Sequence, residues 1–69
     1  MLKKRSFSLS GHRTSVALEP EFWAVLEAEA ARHSSSFAAF IAGIDRARGA
    51  LPLASALRLH ALAVAKNAP

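Results

Sequence analysis

The stretch Arg13–Leu18 alternates, with Thr14, Val16 and Leu18 on one side of an extended chain and Arg13, Ser15 and Ala17 on the other. A period of two marks a β-strand with one buried face. The residues after Leu18 read as helix. A lone strand carries unpaired N–H and C=O groups along its edges, so it needs a partner. The simplest partner is the same strand of a second copy, which gives a two-stranded antiparallel sheet across a dimer. A shorter alternation, Phe7 and Leu9 between Ser6, Ser8 and Ser10, lies upstream of Gly11. It reads equally as a second strand or as a loose arm, and Gly11 marks a bend or bulge.

Size favours the same solution. A domain of 69 residues buries only roughly 60% of its unfolded surface, which leaves it marginal alone. Such chains gain stability from disulfides, metals or oligomers. There is no cysteine, and His12, His33 and His60 lie far apart, so neither a disulfide framework nor a metal site is expected. No cofactor is implied. Oligomerisation is left.

Three helices are predicted downstream. Glu19-Pro20-Glu21 opens the first, with proline where its missing N–H costs nothing and acids at the positive end of the dipole. Phe22, Leu26 and Ala30 line one stripe with Trp23 beside it, and the helix runs to Arg32 or His33. Ser34-Ser35-Ser36 breaks the pattern, and Ser36 is placed to cap the second helix. Phe37, Phe40, Ile41 and Ile44 then recur at helical spacing up to Arg48, with Gly49 as the stop. After Pro52, Leu53 to Lys66 forms a third helix with a stripe of Leu53, Leu57, Ala61 and Val64. Leu59 and Leu62 widen that stripe, so this helix is expected to be largely buried. Residues 1–12 form a basic arm or partial strand, residues 13–66 the domain and residues 67–69 a tail.

Charge is segregated. Lys3, Lys4, Arg5 and Arg13 precede any acid, whereas Glu19, Glu21, Glu27 and Glu29 come later without a base between them. A basic face for a polyanion and an acidic face turned elsewhere are implied. No serine–histidine–acid arrangement, glycine-rich phosphate loop or paired carboxylate is present, so an enzyme is not expected. Glu27 and Glu29 diverge on the helix and read as solvated surface. The basic start MLKKRSFSLSGHR leads into no long apolar stretch, and no run approaches the ~20 apolar residues of a membrane span. A cytoplasmic protein that does not engage membranes is the expectation.

A two-stranded ribbon fits the major groove of B-DNA, and arginine meets the two acceptors of guanine at once. The run SGHRTSVALEPEFWAVLEAEAARH, followed by SFAAFIAGIDRARG and LASALRLHAL, resembles the ribbon-helix-helix regulators of the Arc/MetJ type, in particular a bacterial subfamily with an extra C-terminal helix. The resemblance spans about residues 4–65. It implies a mainly α fold: one strand per chain paired across a homodimer, two helices, and a third helix added. It implies a transcription regulator that binds double-stranded DNA, with Arg13, Ser15 and Ala17 facing bases. The start of the second helix, at Ser35, Ser36 and Phe37, would hold a phosphate through its N–H groups, and Lys3, Lys4, Arg5 and His12 would add phosphate contacts. Val16, Leu18, Phe22, Trp23, Leu26, Phe40, Ile41 and Ile44 would form the dimer core. Ser34 and Ser35 stand where the family commonly has a glycine and an aliphatic residue. The alternative is a dimeric module of the same fold that binds a protein partner, as antitoxins and adaptors do.

Overall fold

The computed structural model describes residues 1–67, so Ala68 and Pro69 of the expected tail lie outside the described residues. Two strands, β1 (Lys3–Leu9) and β2 (His12–Leu18), precede three helices, α1 (Pro20–Arg32), α2 (Phe37–Ala47) and α3 (Leu53–Lys66). The architecture is the expected one, a two-stranded antiparallel sheet and then three helices.

The source of the second strand differs from the sequence reading. The partner of β2 is β1 of the same chain, in a register that pairs Lys3 with Leu18 and Leu9 with His12. The upstream alternation is therefore strand, and the ribbon does not require a second copy. The reason lies in Ser10 and Gly11. Both have positive φ, 51° and 80°, as a two-residue hairpin loop of the type that matches strand twist demands. Gly11 reaches that conformation without strain, and a reverse turn replaces the expected bend or bulge.

The register sorts the side chains. Phe7, Leu9, Val16 and Leu18 point inward and are buried. They meet Trp23 and Leu26 of α1, Ile41 and Ile44 of α2, and Leu53, Ala56, Leu57 and Ala61 of α3 in one core. Six residues expected to form a dimer core, Val16, Leu18, Trp23, Leu26, Ile41 and Ile44, are thus already buried within one chain. Phe22 and Phe40 are only half-buried. The α3 expectation is corrected in part: Leu53, Leu57 and Ala61 pack inward, but Leu59 and Leu62 are 55% and 53% exposed. β2, α1 and α2 all pack against α3, and Leu59 and Leu62 lie on the part of its circumference that they leave uncovered.

The α1–α2 connection is short because a left-handed residue turns it. Ser34 has φ 54°, its N–H donates to Ala31 O at 3.0 Å, and the Ser35 N–H donates to Ala30 O at 3.1 Å. This pair of bonds is the Schellman closure, which usually employs glycine at the position of Ser34. Glu29 is not solvated surface. It accepts from His33 at 2.8 Å and pairs with Arg32, and these contacts hold its carboxyl below the usual range.

Two substitutions report on these turns, both read by urea unfolding monitored through Trp23. Gly11→Ala is expected to destabilise by about 1 kcal/mol, because nothing crowds the added methyl and only the backbone conformation resists it. Ser34→Gly is expected to stabilise by up to about 1 kcal/mol, and an unchanged midpoint would refute the strain assigned to Ser34.

Candidate nucleic-acid interface

Opposed residues of an antiparallel pair share a face, so the register defines the outer surface of the hairpin. Lys4 sits opposite Ala17, Ser6 opposite Ser15 and Ser8 opposite Arg13. Lys4, Ser6, Ser8, Arg13 and Ser15 are exposed and Ala17 half-buried. No carboxylate stands among these six positions. The face is small and polar, with Lys4 near one end and Arg13 near the turn. The Ser6 and Ser15 hydroxyls lie 2.9 Å apart and hydrogen-bond to each other.

The basic arm is divided by the strand alternation. Lys4 points outward with Arg13, whereas Arg5, its neighbour, is on the inner face opposite Val16. The Arg5 guanidinium pairs with Glu27 and lies over the rings of Trp23 and Phe37, 4.9 and 5.3 Å from their centroids. Stacking of this kind, with the other side of the group left in water, suits the planar guanidinium. Arg5 therefore sits beside Glu27 and the two rings, apart from the outward face that carries Lys4, and Glu27 is exposed, as expected, but ion-paired with it. Lys3 and His12 are exposed but share the inner side, at the two ends of the hairpin. The Lys3 carbonyl accepts from Trp23 Nε1 at 2.8 Å, which fastens the start of β1 to α1.

Ser36 caps α2 as its sequence position implies: its Oγ accepts from the Ala39 N–H at 3.1 Å. The N–H groups of Phe37 and Ala38, one residue and two after the cap, belong to the open first turn that no intrahelical carbonyl reaches. The first turn of α2 carries no acid. Ser35 and Ser36 are exposed, whereas the Phe37 ring packs inward, 5.9 Å from Phe7 and 6.1 Å from Trp23. Only the backbone of Phe37 is free to meet an anion. Its ring instead ties the start of α2 to the inner face of β1, so ribbon and helix terminus are held by one aromatic cluster. The sequence reading missed Ser6 and Ser8 of the outer face and the Arg5–Glu27 pair. The serine alternation before Gly11 was the available signal for the first, and nothing local announced the second.

Further along α2, Phe40, Ile44, Ala47, Leu51 and Leu59 line an open, mainly apolar groove together with His33, Arg48 and His60. Arg48 is held there by Asp45 at 2.7 Å, and the His60 ring meets Phe40 edge-on. Among the described residues, no helix is long and apolar enough to cross a membrane.

A family model for the ribbon-helix-helix domain matches residues 2–65, nearly the whole chain, and the protein belongs to that family. Members of the family are typically DNA-binding transcription regulators or antitoxins. Searches of curated proteins and of solved structures gave no match.

Replacing Ser36 by alanine removes the cap of α2 and is expected to cost about 1 kcal/mol in thermal or urea unfolding. A loss well below half that value would show that Ser36 does not hold the helix start.

Proposed function

We propose that this protein is a sequence-specific, DNA-binding transcriptional regulator that acts as a homodimer and lays its β1–β2 ribbon in the major groove. The observation that carries this reading is the outer face of the hairpin, exposed, free of carboxylates and bounded by Lys4 and Arg13. A two-stranded ribbon is one of the elements the major groove admits. Arg13 takes the acceptors of a guanine, Ser15 a neighbouring base edge, and the Ala17 methyl offers apolar contact to thymine. Lys3, Lys4 and His12 meet phosphates, and the open amides at Ser36 and Phe37, beside Ser35, hold one more. We leave Arg5 out of this set because it already contacts Glu27, Trp23 and Phe37.

The second copy has a different task from completing the ribbon. The groove along α2 exposes Leu51 by 43% and Leu59 by 55%, and a chain this small gains from covering them. We assign the second copy to this groove, in keeping with the dimers formed by the family. The same groove supports the second reading, a module that binds a protein partner as antitoxins do. Sedimentation separates the two. A dimer that Leu59→Glu converts to a monomer supports the first, and a monomeric wild type leaves the groove to a partner.

Selection of bound sites from random duplexes is expected to return a defined motif, and failure to enrich any sequence overturns the reading. On a selected site, Arg13→Ala is expected to cost ~1–3 kcal/mol and relax one base position. Lys4→Ala should lower the salt dependence of binding by about one counterion, whereas Arg5→Gln should leave that slope unchanged in folded protein.

A further inference from the structure

From sequence, β2 is the strand expected to read bases, and residues 1–12 enter as a basic arm or partial strand whose Lys3, Lys4, Arg5 and His12 add phosphate contacts. The register places three more side chains, Lys4, Ser6 and Ser8, on the same exposed face as Arg13, Ser15 and Ala17. We propose that β1 supplies half of the DNA-contacting surface, with Ser6 and Ser8 as contact residues and Ser6 also fixing the hydroxyl of Ser15. The inference rests on the DNA-binding reading above and adds residues to it.

Four of the six outward side chains, Ser6, Ser8, Ser15 and Ala17, are among the smallest available. Short side chains let the backbone of both strands come close to whatever lies against them, and they leave the longer Lys4 and Arg13 to reach beyond. A strand that only faces water has no such need. Exposed strand positions are commonly filled by threonine or by charged residues, which favour the extended chain or resist edge pairing.

The hydrogen bond between Ser6 and Ser15 has a chemical consequence. A hydroxyl has one proton and two lone pairs. Whichever serine donates in the 2.9 Å bond, the other retains its own proton for an outside acceptor. The pair therefore offers one oriented donor and nearby lone pairs, in place of two freely rotating hydroxyls. Such a group loses less freedom when a base edge or phosphate binds, which is the benefit of preorganisation. Serine can meet either donors or acceptors on bases, so the orientation imposed by Ser6 decides which of them Ser15 prefers.

The test compares near-isosteric variants that differ by the hydroxyl alone. Ser6→Thr and Ser6→Val both suit an exposed strand, as do Ser8→Thr and Ser8→Val. The full-length variants are assayed on a duplex selected with the wild type, alongside Arg13→Ala, and each is put through site selection again. The threonine variants keep the hydroxyl but add a methyl to the contact face, so each is expected to bind more tightly than the valine variant at the same position. The valine variants are expected to bind roughly two- to tenfold more weakly than wild type. Ser6→Val should also alter the base preferred beside Ser15, and the losses from Ser6→Val and Ser15→Ala should combine less than multiplicatively, because they break one shared unit. If Ser6→Val and Ser8→Val bind like wild type while Arg13→Ala weakens binding, the β1 assignment is overturned and the DNA-binding reading stands. If the wild type enriches no sequence, both are overturned.

Discussion

The structure depends on the closure of β1 onto β2. Without the Ser10–Gly11 turn, β2 would have an open edge on either side and Phe7 and Leu9 would be lost from the floor beneath the helices. Burial of side chains of this kind contributes about 1.5–3 kcal/mol each. A two-residue loop asks little entropy to close. The balance favours a ribbon made within one chain over an arm left in solvent. It also means that the core needs no second copy to be assembled, since Leu18, Leu26, Ile41 and Leu57 are fully enclosed by their own chain.

The closed ribbon then sorts the basic residues. Lys4 and Arg5 are neighbours in the chain but face opposite sides, because successive strand residues alternate. The outward residue is a lysine, exposed to water. The inward one is an arginine, whose flat guanidinium covers Trp23 and Phe37 while Glu27 neutralises it. A lysine ammonium would stack less well and would be more costly to desolvate. The choice of cation at each position reflects the surface it meets.

One aromatic cluster joins the ribbon to the start of α2. Phe7 from β1, Trp23 from α1 and Phe37 from α2 lie within about 6 Å of one another, centroid to centroid. Tilted and edge-on rings of this kind resist sliding. The Schellman turn at Ser34 and the Ser36 cap set the direction from which α2 begins. The strained φ of Ser34 lies two residues before the helix amides proposed to hold a phosphate. The outer face of the hairpin and those amides are therefore linked through one aromatic cluster.

The sequence alone determined β2, its buried face and the three helices. The period of two in Arg13–Leu18, the Glu19-Pro20 opening, the Ser36 cap and the Phe37–Ile44 stripe are local signals, and local backbone chemistry executes them within a residue or two. The family was legible from the same motifs. Arg13, Ser15 and Ala17 were legible as an outward face because alternation leaves no other choice once Val16 and Leu18 are buried. Tertiary structure alone decided which strand partners β2, because Ser10 has no intrinsic preference for a left-handed turn and only the pairing of Phe7 and Leu9 with the core rewards it. It also decided that Arg5 turns inward and that Leu59 and Leu62 face out. Helical spacing shows that residues share a stripe, but what covers the stripe is set by where the other elements pack.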